Sequence, residues 1–595
     1  MTDIAEVKRI PVAGKQRMTP SEALIETLVA QGVQNVFGIV GSAYMDALDL
    51  FPAAGIRFIP TVHEQGSAHM ADGYYRVTGK HGVCIGQNGP GITNFVTAIA
   101  AAYWAHSAVV AITPETGSLS IGLGGFQETD QLPIFSKITK YQAHVNNQAR
   151  MAELTARAFD RAILEMGPTQ LNIPRDFLYG ELECEIPQPI RVERGPGGSA
   201  SLDAAAEALA NAKFPVIISG GGVIAANGVE ACVALAELLD APVCNSYLHN
   251  DSFPASHRLW CGPLGYHGSK AAMKVLSRAD VVLALGSRLG PFGVLPQYGF
   301  DYWPANAKLV QVDADAKVLG LVKKTSVTVN GDAREAALAL VSRLKGRNLA
   351  ANKQEISKTI QSEKKAWADE LATWDHEKDA WSLEVAKGSS YMHPRMMLRE
   401  LAKAMPEDAM VSTDIGNICQ VANSYLRFDQ PRSMFGAMMF GNCGYAFPTM
   451  IGCKVGAPGR TAVAYVGDGA WGMSFGEILT CVREKIPVTA VVFNNEQWGA
   501  EKKNHVDFYS NRFLGVNLDN PSFAGIAKAM GAEGIVVDKV SNVGDAFRAA
   551  CKAQKEGKTT IVEMMCTKEL GDPFRRDALK LPVRLLEKYK AYSTK

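Results

Sequence analysis

An aspartate and an asparagine offer the clearest chemistry in this sequence. Asp468 follows the apolar run TAVAYV inside Gly467-Asp468-Gly469, and Asn495 ends the pair Asn494-Asn495 after PVTAVVF. The pattern predicts a buried strand over 463–466, a helix over about 474–484 and a second strand over 488–493. In a right-handed βαβ unit both strands end on the same edge, side by side. Asp468 and Asn495 therefore converge where open α/β sheets bind their ligands. One carboxylate and one amide oxygen there suit Mg²⁺, which takes about six oxygens and shares its shell with phosphate groups. The main-chain carbonyl of Gln497 is the natural third protein ligand, and Gly467 and Gly469 let a phosphate approach the backbone closely. A Gly-Asp-Gly turn alone is common at strand ends; its pairing with Asn495 just under thirty residues later carries the signal.

Glu64 is the second candidate. It lies in TVHEQGSAHMADGYYRV, between the strand-like IRFIPTV and a helix. Taken alone, an acid there more often complements the helix dipole than performs chemistry.

These residues need a scaffold of buried parallel strands, and the chain supplies that rhythm three times. The first helix opens at Thr19 with Pro20 in its first turn and Glu22 closing a capping box, and Gly32 stops it. Short apolar runs then alternate with helical stretches through NVFGIVG, GVCIGQNGPG, SAVVAITPE and GPTQLNIPRD. The rhythm restarts in PVIISGGG, APVCNSY, DVVLALGSRLG and KLVQVDAD, and again in AMVSTDIG, TAVAYVGDG, PVTAVVFNN and TIVEMMC. The expected architecture is α/β, with three doubly wound domains on parallel sheets. Their expected spans are 17–190, 200–345 and 385–580, with a charged, solvated helical linker over 346–384 and a tail over 581–595.

At 595 residues the chain exceeds what one core supports. A formal net charge of +1 argues against a general nucleic-acid binder. Eleven cysteines without a CxxC pair or zinc spacing point to reduced thiols and a cytoplasmic protein. The first residues lack the apolar stretch of an export signal, and the apolar segment 95–113 is interrupted by His106 and Ser107, as a buried helix and strand would be. No membrane or nucleic-acid partner is expected.

The phrases VGDGAW…VVFNN and HEQGSAHMADGYYR resemble the signatures of thiamine-diphosphate enzymes. The resemblance implies a pyrimidine-binding N-terminal domain, a central domain and a diphosphate-binding C-terminal domain, in the order of the acetolactate synthase and pyruvate oxidase branch. It implies thiamine diphosphate and Mg²⁺ as cofactors, with Asp468, Asn495 and the Gln497 carbonyl as metal ligands. It makes Glu64 the acid that hydrogen-bonds the cofactor's pyrimidine ring and so promotes loss of the thiazolium proton. Gly441 and Cys443 in GNCGYAFP fall on the cofactor-contacting loop, with Cys443 where relatives carry a bulky Met, Ile or Leu. Ser42 in GIVGSA, Gln127 in GFQE and His106 in AHSA fall on or beside substrate-facing positions. In relatives the two cofactor ends belong to different subunits, which implies a homodimer at least; homotetramers are common.

Longer phrases narrow the branch. IGLGGFQETDQLPIFSKITKYQ, NSYLHNDSFPASHRLWCGPLGYHGSKAAMK, SRLGPFGVLPQYGFDYWP and ELGDPFRRDALK are similar to those of acetyltransferases that convert sulfoacetaldehyde and phosphate into acetyl phosphate and sulfite in taurine and sulfonate degradation. Such a site binds two anions, and Arg575, Arg576, Lys502, Lys503 and His505 are the candidate donors, weighed against a solvated basic surface. The rival readings are an acetolactate synthase or other 2-oxo acid decarboxylase, and a non-catalytic nucleotide-binding protein on the same fold. SGGG at 219–222 and VDAD at 312–315 invite a dinucleotide reading, but tight strand-to-helix packing explains such glycines more often, and no required FAD is expected.

Overall fold

The computed structural model describes residues 12–373, 391–437, 439–568 and 579–593. Three sheets of six parallel strands carry it. The first holds β1 (Asn35–Gly38), β2 (Arg57–Pro60), β3 (Gly82–Ile85), β4 (Val109–Glu115), β5 (Tyr141–His144) and β6 (Thr169–Pro174), in the order β2-β1-β3-β4-β6-β5. The second holds β7 (Pro215–Ser219), β8 (Val243–Asn245), β9 (Trp260–Pro263), β10 (Val281–Leu285), β11 (Lys308–Asp313) and β12 (Val327–Asn330), in the order β9-β8-β7-β10-β11-β12. The third holds β13 (Met410–Thr413), β14 (Met434–Gly436), β15 (Ala462–Gly467), β16 (Thr489–Asn494), β17 (Glu533–Val537) and β18 (Thr560–Met565), in the order β14-β13-β15-β16-β18-β17.

The first and third sheets thus share one strand order and the second has another. In each of the outer two, the order reverses between the unit's first and third strands, which opens a crevice at their carboxyl ends. Ser42 lies at the first of these crevices and Asp468 at the second. Central strands such as β4, β6 and β16 are buried along their whole length, as parallel strands covered on both faces must be.

The capping box forms as expected around α1 (Pro20–Ala30): Glu22 N–H donates to Thr19 Oγ1 at 3.2 Å and Thr19 N–H to Glu22 Oε2 at 2.6 Å. The segment 95–113 resolves into a helix over Val96–Ala105 and strand β4. Among the described residues no helix is long and apolar enough to cross a membrane. The charged stretch after residue 350 departs from a fully solvated linker. Its helix, Lys353–Thr373, buries Ile356 and Ile360 against the second core and Trp367 and Leu371 against the third, because these residues recur on one helical face.

Two helices join the outer units: α2 (Glu64–Thr78) and α3 (Ala446–Gly456). They cross backbone to backbone. A Cβ on Gly73 would stand 2.1 Å from Thr449 O, and one on Gly452 would stand 1.9 Å from Met70 O. Above this contact Tyr445 donates to Asp72 Oδ2 at 2.8 Å, and His69 Nε2 meets Asn442 Nδ2 at 3.1 Å. One apolar core accordingly runs from Phe37 and Met70 through Met450 to Trp471 and Ile561.

Candidate active site

Strands β15 and β16 pair in register from Val463 with Thr489 to Gly467 with Phe493, so the residues that follow them stand side by side. Asp468 is 3% exposed and Asn495 7%, so both depend on polar partners for their place in the fold. Asp468 Oδ1 accepts the Gly469 N–H at 3.0 Å; its Oδ2 accepts the Gln497 N–H at 3.2 Å and Asn520 Nδ2 at 2.9 Å. Burial pushes its carboxyl up from 3.8 to about 6, against these donors, which pull it back. Glu496 at φ +54° turns the chain so that Gln497 faces Asp468. Gly469 is required by packing, since a Cβ there would stand 2.8 Å from the Trp498 indole, whereas open space fronts Gly467.

The donor set fits Mg²⁺ and a diphosphate. One carboxylate with neutral amide and carbonyl oxygens is the hard-oxygen chemistry that cation selects, and phosphate oxygens would complete its shell. Four buried polar atoms on segments leaving this edge have no partner among the described residues: Gln497 Oε1, Ser474 Oγ, and Asn417 Nδ2 and Oδ1. Unsatisfied groups of this kind cost about 1–3 kcal/mol each, so the edge is built for a polar ligand.

Beside it, Asp414 at the end of β13 braces the loop that carries Gly441 and Cys443. Its two carboxyl oxygens accept the N–H groups of Gly444 at 3.1 Å, Ala446 at 3.0 Å and Ile415 at 2.9 Å. Gly441 and Gly444 have φ of +66° and +79°, a backbone that a side chain would strain. The Cys443 thiol is half-buried and pushed up to about 12 by burial, with Asp414 and Glu501 adding to the effect.

Glu64 begins α2, and Asn94 Nδ2 donates to its Oε2 at 2.9 Å. The entry to this helix is tied to the third unit: buried Glu477 accepts Val62 N–H at 3.2 Å and His63 N–H at 3.1 Å. Among the described residues no hydrogen bond joins Glu64 to the Asp468 cluster within one chain.

At the crevice of the first sheet the structure brings Ser42 and Gln127 together through Gln87, whose Nε2 lies 3.4 Å from Ser42 Oγ and 2.9 Å from Gln127 Oε1. His106 is not with them. It precedes β4 and so stands at the amino edge of the sheet, where its Nδ1 faces Met166 O at 3.3 Å. There burial, Arg288 and Lys140 hold its imidazole down to about 4. His106 lines a second cavity of about 390 Å³, with Arg288, Asp313 and the glycines 221 and 222 of the second unit. A Cβ on Gly222 would stand 2.7 Å from Gly286 Cα, so close packing already demands that glycine.

The candidate anion donors separate. Lys502 and Lys503 are buried on α4 (Gly499–Phe508), Lys502 bonding Asn517 Oδ1 at 3.0 Å and Lys503 pairing with Asp507 at 2.8 Å. His505 turns to another cavity, beside Arg512, Arg584 and Lys588. Arg575 and Arg576 lie outside the described residues.

The sequence reading passed over Asn520, Asp414, Glu477 and Gln87. Glu477 carried a signal, an acid inside the otherwise apolar FGEILT. Asn520, in a polar loop, carried none.

Comparison with known proteins agrees with this geometry. Residues 18–134, 202–340 and 414–564 match the N-terminal TPP binding domain, central domain and C-terminal TPP binding domain of the thiamine pyrophosphate enzymes. A protein of Castellaniella defragrans named sulfoacetaldehyde acetyltransferase is 66% identical over 99% of this chain and 100% of its own length. One of the same name from Alcaligenes xylosoxydans xylosoxydans is 64% identical over 98% of each chain. The acetolactate synthase large subunit of Corynebacterium glutamicum is more distant, at 32% over 90% of this chain and 85% of its own. With three matching domains in this order and relatives similar from end to end, the chain belongs to the thiamine pyrophosphate enzyme family.

Proposed function

We propose that this protein is an acetyltransferase that converts sulfoacetaldehyde and phosphate to acetyl phosphate and sulfite with thiamine diphosphate and Mg²⁺. The observation that carries the reading is the 66% identity over the whole chain to a protein named for that activity, against 32% to an acetolactate synthase. Asp468, Asn495 and the Gln497 carbonyl would hold the metal and, through it, the diphosphate. When bound, thiamine diphosphate supplies the carbon nucleophile that adds to the aldehyde and lets a leaving group depart from the adjacent carbon. Glu64 would hydrogen-bond the pyrimidine ring, and Gln127 and Ser42 would face the substrate. Asp414 keeps the Gly441–Cys443 loop in the shape the cofactor leans on.

The assembly is a homodimer or a homotetramer built from it, in which Glu64 of one copy serves the Asp468 edge of another. Two features support this. Glu64 and Asp468 share no hydrogen bond within one chain, and large apolar side chains stand exposed beside both half-sites: Leu119 at 91%, Leu123 at 80% and Phe126 at 79% near Gln127, and Met473 at 60% near Asp468. The eleven cysteines are all unpaired, in keeping with a cytoplasmic protein.

The test is an assay of purified protein with both cofactors. Sulfite and acetyl phosphate formed from sulfoacetaldehyde and phosphate support the reading; carbon dioxide from pyruvate with no sulfite release overturns it. Mixing Glu64→Gln and Asp468→Ala subunits tests the sharing, because only a site built from two chains regains activity in the mixed dimer.

A further inference from the structure

One amide nitrogen at the first crevice meets three oxygens. Gln87 Nε2 lies 2.7 Å from Asn88 Oδ1, 2.9 Å from Gln127 Oε1 and 3.4 Å from Ser42 Oγ. A primary amide has two hydrogens, so the two shorter contacts are its bonds. Gln87 cannot turn over, because its Oε1 accepts the Ala43 N–H at 3.0 Å. Asn88 is fixed in the same sense, its Nδ2 donating to the main-chain oxygen of Gln127 at 3.0 Å. The carboxamide oxygen of Gln127 is therefore turned inward and its N–H₂ is left to face the crevice. Gln127 itself is held at φ +59°, a strained conformation for a residue with a side chain and one that clusters at functional sites.

Beneath this turn a chain of buried amides runs to a carboxylate. Asn172 Nδ2 donates to Glu115 Oε2 at 2.6 Å, and Gln131 Nε2 donates to Asn172 Oδ1 at 2.8 Å. Gln131 Oε1 then accepts the Gly89 N–H at 3.0 Å, which pins the turn that carries Gln87 and Asn88. Glu115 Oε2 thus sets which way Asn172 points, and the main-chain oxygen of Pro114, which accepts from Gln131 Nε2 at 3.0 Å, holds Gln131 in the same sense. His144, on strand β5 beyond β6, faces Glu115 Oε2 at 3.1 Å and keeps the carboxylate partnered.

We propose that Gln87 is a positioning residue which, on a scaffold anchored at Glu115, presents the Gln127 N–H₂ as a donor to a tetrahedral oxyanion, either the sulfonate of sulfoacetaldehyde or the acceptor phosphate. This rests on the function proposed above. It also accounts for a neutral donor at a crevice whose substrates are anions: oriented N–H groups bind an oxyanion without the cost of burying a further charge.

The experiment is steady-state kinetics of holoenzyme carrying Gln87→Met, Gln87→Glu or Glu115→Gln, with sulfoacetaldehyde and phosphate varied separately and thiamine diphosphate affinity measured alongside. The expected result is a KM for one anion raised about tenfold or more in Gln87→Met, further in Gln87→Glu, with cofactor affinity unchanged. Which KM moves names the anion. A fall in kcat with both KM values unchanged, or no change in either Gln87 variant, overturns the proposal. Glu115→Gln is expected to raise the same KM by a smaller factor; an unchanged value removes Glu115 as the anchor. If the unaltered enzyme releases no sulfite, it is the functional reading that fails. Calorimetric titration with inorganic phosphate then decides on the donor alone: tighter binding to the unaltered protein than to Gln87→Met upholds it, and equal or absent binding overturns it.

Discussion

Asn520 holds Asp468 from outside the βαβ unit: a single amide nitrogen donates to Asp468 Oδ2 at 2.9 Å and to Asn494 Oδ1 at 3.0 Å. It thereby ties the end of β15 to the end of β16 and gives the carboxylate a third N–H donor. Replacing Asn520 with Ala removes both bonds and leaves the carboxylate held by the N–H groups of Gly469 and Gln497 alone. Metal-dependent thiamine diphosphate affinity is expected to fall about tenfold, the worth of one charge-assisted hydrogen bond. Quenching of tryptophan fluorescence on cofactor binding measures it, since Trp498 packs on Gly469. An unchanged dissociation constant would show that Asp468 is held without Asn520.

The helix crossing is equally exposed to test. Gly452→Ala places a carbon 1.9 Å from the Met70 carbonyl oxygen, and backbone cannot yield as a flexible side chain does. Separating α2 from α3 loosens the shared core and shifts the helix that Glu64 begins. A loss of about 3 kcal/mol or more is expected, read as a fall of several degrees in melting midpoint together with reduced turnover. Ala at Gly459, where open space surrounds the site, is the control and should change neither.

How far the chain could be read in advance follows from burial. The strands that apolar runs announced, such as β4, β15 and β16, lie inside their sheets and are covered on both faces. The strands that went unannounced, β5, β9, β12, β14 and β17, are all sheet edges. An edge is short or half-exposed, so neither length nor periodicity marks it. The site divides likewise. Asp468 and Asn495 lie on one βαβ unit, whose geometry is fixed by handedness alone. Gln87, Glu477 and Asn520 act on partners 40, 414 and 52 residues away, and no local pattern encodes such contacts. His106 shows the opposite failure: nearness in sequence to β4 says nothing about which end of the strand a residue occupies.

Burial also makes a prediction about the thiols. Ten of the cysteines are unlinked and off the cofactor loop, most of them fully buried, and Cys443 is held up to about 12. At pH 7.5 almost none of it is thiolate, the form that reacts. Native protein should therefore label slowly with a disulfide reagent, while denatured protein should show eleven thiols. Rapid loss of activity through modification of Cys443 would mean that the loop opens far more than its bonds to Asp414 allow.

Asp414 makes the sharpest pH prediction, because it is wholly buried and its carboxyl is raised by that burial from 3.8 to about 6, the N–H groups of Ala446, Ile415 and Gly444 pulling the other way. The folded state thus binds the proton more tightly than the unfolded chain does. Between about pH 4 and pH 6 the unfolded chain has already released that proton while the folded protein keeps it, so this group's contribution to stability falls as pH rises through the window. Above about 6 both states are ionised and the loss levels off. From pH 5 to pH 7.5 the change amounts to about 1 kcal/mol. Asp414→Asn cannot ionise and lacks the slope. Its melting midpoint, measured on cofactor-free protein, should therefore lie further below that of the unaltered protein at pH 5 than at pH 7.5. A gap of the same size at both values would mean that Asp414 keeps an ordinary carboxylate pKa, its three N–H donors offsetting its burial.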